Sequence, residues 1–301
     1  MHSDVKNKAI RITVGIPTYE AGDSLVTALE SLYHQTYFDH IERVMVVVDG
    51  NTIPGRILHK IHNPKLAVVY ASQRKGQPSR INDIFNDAHT DLVILTNDDV
   101  VLSNDAIEHI VRNFRKTSAD LLSCSVTPLP EKTLLERILK VGYEINRSIY
   151  LSWNNADNYL SCNGRLLVLS KRFYKTVTVP EKVWNNDAFL YLFAKVHNFS
   201  YAHEENAIAS YRMPTRLGEH IKQSSKFKQS LEENNNYFRS NIATFYTIPP
   251  LLFFRSVFVS LLSKPVLTSF YIMVSLITAF SLVPLNSAFG YWETDSSTKK
   301  I

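Results

Sequence analysis

Residues 92–99 read LVILTNDD, an apolar run, Leu92–Leu95, that passes directly into four polar residues. Five further runs of similar character occur in the first 240 residues: Ile12–Ile16, Val44–Val48, Leu66–Tyr70, Leu121–Val126 and Leu166–Leu169. Most are continuous rather than alternating, which is typical of strands covered on both faces. We therefore predict six short strands in a buried sheet.

Helical patterns separate several of these strands. Three segments place apolar residues at i, i+3, i+4 and i+7: Leu25–Leu32, Ile81–Ala88 and Ile107–Phe114. Asp23 or Ser24 is expected to cap the first helix, and Pro78 to lie in the first turn of the second. The alternation predicts an open, mainly parallel α/β sheet flanked by helices, with its ligand at the carboxyl ends of the strands.

The composition excludes several classes of protein. The chain has 301 residues, of which 45% are hydrophobic and 20% charged, so it is neither collagen-like nor disordered. Cys124 and Cys162 lack Cys-x-x-Cys spacing, and we expect neither a disulfide framework nor a thiolate zinc site. The net charge of +5 is dispersed among acidic residues, so no nucleic-acid partner is expected. An anionic substrate or an anionic membrane suits this mild basicity.

Polar side chains follow three of the predicted strands: Pro17-Thr18-Tyr19-Glu20, Asp49-Gly50 and Asn97-Asp98-Asp99. Because the carboxyl ends of parallel strands meet at one edge, we expect these groups to lie together. A single aspartate after a strand often only forms a turn. A carboxylate pair at a shared edge suits Mg²⁺ or Mn²⁺ that takes its remaining ligands from phosphates. The expected partner is a nucleotide diphosphate.

The sequence has no glycine-rich loop of the kind that binds phosphates. The sequence contains neither Gly-x-x-x-x-Gly-Lys-Ser/Thr nor Gly-x-Gly-x-x-Gly, which argues against a P-loop nucleotidase and a dinucleotide dehydrogenase. A nucleotidyltransferase is disfavoured for a similar reason, since residues 12–27 hold only Gly15 and Gly22. Lys75 and Arg80, at the start of a predicted helix, are the candidate phosphate contacts, with a solvated basic turn as the alternative.

This ordered set of motifs resembles the family-2 inverting glycosyltransferases of the GT-A fold over about residues 10–230. The resemblance implies that the first segment, with Pro17, Tyr19 and Glu20, and Asp49 hold the base and ribose of a nucleotide sugar. It also implies that Asp98 contacts the nucleotide sugar and that Asp99 binds Mn²⁺ or Mg²⁺. The family's Asp-x-Asp motif begins here with Asn97, whose amide can bond a ribose but supplies no second metal carboxylate.

Three later segments resemble the second half of the family's site. Val183–Asp187 resembles the Glu-Asp motif, with Asn186 in the Glu place, and an inverting transfer needs a base for the acceptor hydroxyl. The resemblance gives that role to Asp187, and the alternative is a helix cap. Ser161–Gly164 resembles the loop that lines the donor sugar, which implicates Asn163. Gln223–Phe227 resembles a degenerate Gln-x-x-Arg-Trp motif through Gln223 and Lys226, or a basic segment at a membrane surface.

The C-terminal region is predicted to associate with a membrane. Val266–Leu285 contains no charged residue, and twenty helical residues span about 30 Å, the thickness of a bilayer core. Ile248–Ser263 is interrupted by Arg255 and is predicted to be an interfacial helix. Two crossings or a buried core helix are the alternatives. Met1–Ala9 lacks the apolar core of a signal peptide, so a cytoplasmic catalytic domain is expected.

The sequence thus predicts two parts, a GT-A-like domain at 1–240 and a membrane segment at 241–301. The leading hypothesis is a metal-dependent inverting glycosyltransferase that moves a sugar from a nucleotide-diphosphate donor to a hydroxyl of a glycan or lipid-linked acceptor, as in polysaccharide biosynthesis. A polyprenyl-phosphate sugar synthase is a second enzyme hypothesis. A catalytically degenerate relative that only binds nucleotide sugar is the non-enzymatic one, since Asn97, Asn186 and the Lys226-Phe227 pair depart from the family pattern.

Overall fold

A computed structural model describes residues 9–238, 242–281 and 297–301, with the backbone alone at residues 226, 228, 229 and 231. The described chain forms an eight-stranded sheet in the order β3-β2-β1-β4-β7-β6-β8-β5. The strands are β1 (Ile12–Thr18), β2 (Ile41–Asp49), β3 (Leu66–Ala71), β4 (Leu92–Thr96), β5 (Val100–Leu102), β6 (Leu121–Pro128), β7 (Leu166–Ser170) and β8 (Tyr201–Tyr211). All six predicted strands are present.

The helices cover the sheet and extend beyond it. Those of the first two thirds of the chain are α1 (Asp23–Tyr33), α2 (Gly55–Leu58), α3 (Gln77–Asp87), α4 (Ala106–Thr117), α5 (Leu134–Ser152), α6 (Lys171–Tyr174) and α7 (Asn186–Val196). They are followed by α8 (Leu217–Phe238), α9 (Ala243–Tyr246), α10 (Pro250–Ser263) and α11 (Pro265–Phe280).

The sheet is mixed but mainly parallel, as predicted. Parallel pairing joins β1 to β2 and β4, β2 to β3, and β6 to β8, whereas β7 is antiparallel to β4 and β6, and β5 is antiparallel to β8. The sequence did not predict β5 and β8. The first has three residues, and the second, YAHEENAIASY, lies partly exposed and carries few consecutive apolar residues.

Both faces of the central strands are buried, which explains their continuous apolar runs. In β2, Val44, Val46 and Val48 pack in the cluster that includes α1 and α4, while Met45 and Val47 pack with α3 and α7 on the other face. Each of the five is at most 1% exposed. Successive strand residues point to opposite faces, so a strand covered twice needs apolar residues at every position.

The start of the first helix differs from the prediction. Gly22 is the N-cap of α1 and makes no side-chain cap hydrogen bond, so the expected capping by Asp23 or Ser24 is wrong. Asp23 is the first helical residue and forms an ion pair with Lys60 at 3.1 Å. Pro78 does lie in the first turn of α3, where its missing N–H costs no helical hydrogen bond.

Helices α10 and α11 pack along α5. Val257 of α10 lies against the cluster of Val141, Ile145 and Ile149, while Val274 of α11 packs near the start of α5. A hydrogen bond of 3.1 Å from Ser256 to Ser148 and an ion pair of 2.6 Å from Lys264 to Glu144 lie between these points. From Ser256 to Val274 the contacts move towards the start of α5, so the two helices run antiparallel to it.

The helical region that is long enough to span a membrane differs from the predicted one. Among the described residues, Ala243–Ser263, which covers α9, α10 and the three residues between them, is the one stretch long and apolar enough to cross a membrane by length and composition. Helix α11 has 16 described residues, about 24 Å, and residues 282–285 of the expected span lie outside the described part. The same is true of residues 1–8 and of the expected domain boundary near residue 240.

Gly142 allows α11 to approach α5 closely. A Cβ atom on Gly142 would lie 2.2 Å from Cε2 of Tyr271. We expect Gly142→Ala to lower the free energy of unfolding by about 1–3 kcal/mol relative to Gly218→Ala, because it overpacks this contact while both substitutions gain the same helix propensity. Gly218→Ala is the matched control, since nothing lies within 4 Å of a Cβ there. Thermal unfolding in detergent measures both, and equal effects of the two substitutions would contradict the packing described.

Candidate active site

A pocket of about 220 Å³ opens at the carboxyl ends of β1, β2 and β4. Nine predicted site residues line it: Pro17, Tyr19, Asp49, Arg80, Asp98, Asp99, Asn163, Asp187 and Gln223. Glu20 and Lys75 are exposed and lie outside this lining, and the side chain of Lys226 lies outside the described part of the chain. Motifs far apart in the sequence therefore meet at one edge of the sheet.

Asp49 anchors the loop between β3 and α3. Its two carboxylate oxygens accept the backbone N–H groups of Lys75 and Gly76, each at 2.9 Å. The loop passes so close that a Cβ on Gly50, whose φ is +65°, would lie 2.4 Å from the backbone nitrogen of Arg74. Asp49 is 4% exposed and still lines the pocket, so it shapes the wall against which a ligand would lie.

The arginines of this loop and of the start of α3 already contact other side chains of the protein. Arg80 forms ion pairs with Asp49 at 3.4 Å and with Asp83 at 3.0 Å, and its side chain is 6% exposed. Two carboxylates thus offset its charge before any ligand binds. Arg74 places its guanidinium over the ring of Tyr19, 3.7 Å from the ring centre, at the mouth of the same pocket.

Asp98 is paired with a residue from the far end of the chain. Its Oδ2 atom accepts a short hydrogen bond from the hydroxyl of Thr18 and another of 2.8 Å from the ammonium of Lys299. Lys299 also donates to the carbonyl oxygen of Glu20 at 2.6 Å. Together with Thr298 it lines the pocket, so residues 298–299 occupy part of its edge.

This arrangement predicts competition between Lys299 and a ligand of Asp98. For the nucleotide-sugar donor that the sequence motifs predict, we expect Lys299→Ala to lower the Kd by about fivefold, since the free protein then loses a closed state in which Asp98 is occupied. Lys299→Arg keeps the charge and should retain most of the competition. Titration calorimetry with the donor measures both, and weaker donor binding by Lys299→Ala would show that the ammonium assists the ligand instead.

The surroundings of Asp99 disfavour the ionised form of its carboxyl group. Burial raises the pKa of Asp99 to about 6, and the neighbouring charge of Asp98 adds to the effect, while Arg165 opposes it. A carboxylate in such surroundings gains from a nearby cation, because opposite charge favours its ionised form.

The donor set around Asp99 fits a cation held largely by its substrate. In residues 9–238, 242–281 and 297–301, no three His, Cys, Asp or Glu side chains form a metal-binding group. Mg²⁺ and similar ions are often bound by one or two carboxylates together with substrate phosphates. Asp99, with a diphosphate to complete the ligands, meets this requirement, whereas Asp98 is already paired with Lys299.

Asp187 lies in the first turn of α7 and bridges to a second loop. Asn185 is the N-cap of this helix, and its side-chain oxygen accepts the N–H of Ala188 at 3.2 Å. Oδ2 of Asp187 accepts the N–H of Gly164 at 2.9 Å, and Oδ1 accepts that of Ala188 at 3.1 Å. Burial raises the pKa of Asp187 in spite of these bonds. Asp187 therefore joins the start of α7 to the loop that holds Asn163.

Two pocket residues carry chemistry that the sequence did not reveal. Arg165 lines the pocket, and its charge lowers the pKa of both Asp99 and Asp187. Gln77 hydrogen-bonds Asn97 on one side and Asn186 on the other. The position of Arg165 directly after the Asn-Gly turn was an available signal, whereas nothing in the sequence marks Gln77 except its place after Gly76.

Residues 13–170 match the family model described as glycosyl transferase family 2, which is slightly more than half of the chain. The chain belongs to this family, and it is a glycosyltransferase. A comparison with curated protein sequences finds no significant match.

Solved structures share the fold at low sequence identity. A mannosyltransferase from Pyrobaculum calidifontis, PcManGT, in complex with GDP-Man and Mn²⁺, is 16% identical with a TM-score of 0.61, and the match covers 93% of this chain and 78% of that one. S. aureus TarS 1-349 in complex with UDP-GlcNAc is 16% identical with a TM-score of 0.55, over 68% of this chain and 60% of that one. These similarities identify the GT-A fold, as the sequence motifs predicted.

Proposed function

We propose that the protein is a metal-dependent inverting glycosyltransferase that moves a sugar from a nucleotide-diphosphate donor to a hydroxyl of a glycan or lipid-linked acceptor. The observation that carries this proposal is the pocket itself. It combines the carboxylates that follow β4 with a partly buried carboxylate, Asp187, whose pKa is raised. Solved structures of the same fold have been obtained with GDP-Man and Mn²⁺ and with UDP-GlcNAc, which supports a nucleotide-sugar donor.

The donor would lie across the carboxyl ends of the strands. In this proposal Pro17, Tyr19 and Asp49 form the wall beside the base and ribose, and Asp98 accepts a hydrogen bond from the nucleotide sugar. Glu20 and Lys75 lie outside the lining of the pocket, and the side chain of Lys226 lies outside the described part of the chain. The donor contacts proposed here therefore do not depend on these three residues. Arg165 is a better placed cation for the diphosphate than Arg80, because Asp49 and Asp83 already pair with Arg80.

Asp99 would hold Mn²⁺ or Mg²⁺ together with the donor diphosphate. When bound, the ion offsets the negative charge that develops on the departing nucleoside diphosphate. Asp98 and Arg165 add to the polar lining around that group. The protein's own contribution is a rigid pocket edge that orients the donor before the transfer.

Asp187 would accept the proton of the acceptor hydroxyl. In an inverting transfer that hydroxyl attacks the anomeric carbon from the face opposite the leaving diphosphate, so the base belongs on the acceptor side. The N–H groups of Gly164 and Ala188 fix the carboxylate in place. The raised pKa of Asp187 makes it a stronger proton acceptor than an ordinary aspartate.

We also propose that α10 and α11 attach a cytoplasmic catalytic domain to a membrane. Large apolar side chains on their outer surface are exposed, among them Leu251 (79%), Phe254 (67%), Leu262 (70%) and Phe280 (90%). An exposed apolar surface of this kind is typical of membrane contact. Arg255 lies exposed within it, which suits the level of the lipid head groups rather than the hydrocarbon core.

Phe254→Ser combined with Leu262→Ser tests the membrane proposal. We expect the double variant to lose most of its sedimentation with anionic phospholipid vesicles, because about 3–5 kcal/mol of apolar burial in the interface is removed. The fold should be unaffected, since both side chains are exposed. Thermal unfolding checks that point, and unchanged sedimentation of a folded variant would exclude this face as the contact.

The function itself is tested by donor turnover. Purified full-length protein is incubated with a panel of nucleotide sugars, with Mn²⁺, with Mg²⁺ and with EDTA, and release of free nucleoside diphosphate is measured. The proposal expects metal-dependent release from one donor. Nucleotide binding without release, even with membrane lipid extract and candidate glycans present, would favour the degenerate binding protein.

A further inference from the structure

Three amide side chains are joined in a row across the pocket. Nδ2 of Asn186 donates to Oε1 of Gln77 at 3.2 Å, and Nε2 of Gln77 donates to Oδ1 of Asn97 at 3.4 Å. The three residues come from different elements: Asn97 follows β4, Gln77 begins α3 and Asn186 begins α7. All three line the pocket. The row therefore connects the carboxylate edge of the pocket with the end that holds Asp187.

The row leaves one acceptor atom without a partner. Oδ1 of Asn186 makes no hydrogen bond within the described chain, although the residue is only 7% exposed. Buried polar atoms are nearly always paired, and an exception inside a ligand pocket calls for an explanation. The bond to Gln77 fixes the amide by its nitrogen, so the oxygen is free to receive a ligand.

The chemistry of this atom restricts its partner. An amide oxygen accepts hydrogen bonds or binds a cation, and it donates nothing. Since the cation of this pocket is assigned to Asp99, the partner expected for Oδ1 of Asn186 is an O–H or N–H group. Diphosphate oxygens are acceptors and are excluded. Asn186 is adjacent to Asp187 in sequence and forms the opposite end of the row from Asn97. We therefore expect its ligand at the end of the pocket where the sugar is transferred.

We propose that Oδ1 of Asn186 accepts a hydrogen bond from a hydroxyl of the donor sugar, and that Gln77 is the positioning residue that orients this amide. The inference rests on the proposed function. It gives the two departures from the family motifs, Asn97 and Asn186, a common role as the ends of one neutral network. A carboxylate at residue 186 has no N–H for Gln77 and would add charge to a pocket that already contains Asp98, Asp99 and Asp187.

The test compares binding of a nucleotide sugar with binding of its nucleoside diphosphate. Only the first carries the sugar, so we expect Asn186→Leu to weaken nucleotide-sugar binding by about 10-fold, the loss for one hydrogen bond, with nucleoside diphosphate binding unchanged. Gln77→Met keeps the side-chain length and should show the same selective loss to a smaller degree. A merely structural role would weaken both ligands together, so that result would overturn the proposal.

A second arm uses the unaltered protein and does not depend on how the variants fold. Deoxy analogues of the donor, each lacking one sugar hydroxyl, should include one that binds wild type about 10-fold more weakly than the parent donor. The same analogue should lose nothing further in Asn186→Leu, as expected when both changes remove one contact. Equal binding of every analogue would overturn the inference.

The remaining outcomes are also distinct. An effect of Asn186→Leu on the KM of the acceptor, with donor binding unchanged, would assign Oδ1 to an acceptor hydroxyl and contradict the sugar contact. If wild type binds neither nucleotide sugars nor nucleoside diphosphates, the proposed function itself fails, and this inference fails with it. Nucleoside diphosphate binding by wild type thus separates the two failures.

Discussion

Asp187→Asn is expected to lower kcat by about 10³-fold while the Kd for the nucleotide sugar changes little. The amide keeps the size of the side chain and one oxygen for the N–H of Gly164, so the pocket should keep its shape. What it loses is the ability to accept the proton of the acceptor hydroxyl. Single-turnover transfer with labelled donor measures the rate, and calorimetry measures donor binding.

The same variant separates the two enzyme hypotheses. A phosphate acceptor, as in a polyprenyl-phosphate sugar synthase, is already ionised and needs no base. Near-normal turnover of Asp187→Asn would therefore contradict the assignment of Asp187 and favour a phosphate acceptor. Loss of donor binding together with turnover would instead indicate that the pocket had collapsed.

The pH dependence of kcat gives an independent check on Asp187. Burial raises its pKa, so the carboxylate takes up a proton at a higher pH than an ordinary aspartate, whose pKa is about 3.9. Because the base acts in its ionised form, kcat should fall as the pH falls through this raised pKa and should level off above it. With saturating Mn²⁺ the acidic limb should be absent from the residual activity of Asp187→Asn. An identical limb in the variant would assign the titration to another group.

Asp99→Asn is the second substitution with a large expected effect. We expect turnover to fall by about 10²-fold or more, because the cation that offsets charge on the leaving diphosphate loses the carboxylate proposed to hold it. The Mn²⁺ concentration needed for half-maximal activity should rise at the same time. Asp39→Asn, an exposed carboxylate outside the pocket, is the matched control and should change neither quantity.

Metal dependence distinguishes this prediction from a general loss of structure. The thermal stability of Asp99→Asn should equal or exceed that of wild type, because the substitution removes a buried charge that Asp98 disfavours. Full activity of Asp99→Asn in EDTA as well as in Mn²⁺ would contradict a metal at this position.

The sheet could be predicted because its buried strands appear in the sequence as apolar runs. Strands covered on both faces favour continuous apolar runs, and β2, β4 and β7 have them. Strand β3 has an apolar run although Val69 and Tyr70 are exposed, and the run of β6 contains Ser123 and Ser125. The strand-end motifs marked one edge for the same reason, since parallel pairing brings those ends together. Strand β8 has no such apolar run, because residues such as Glu204 and Asn206 face solvent or bond each other.

The candidate site could be predicted where motifs are local and not where contacts are long-range. Asp49 and Asp187 stand in recognisable motifs, and both line the pocket. Lys299 reaches Asp98 from some 200 residues away, and Gln77 meets Asn186 across more than 100, so no sequence window contains either pair. The engagement of Arg80 by two carboxylates is likewise visible only after folding.

The central claim is that this pocket holds a nucleoside diphosphate and a divalent cation at Asp99. Crystals of the full chain with Mn²⁺ and the nucleoside diphosphate of its donor test it directly through the anomalous signal of manganese. The account predicts one peak within bonding distance of Asp99 and of diphosphate oxygens. Diphosphate bound in the pocket with the manganese peak elsewhere, or manganese at Asp99 with the nucleotide bound outside the pocket, would contradict it.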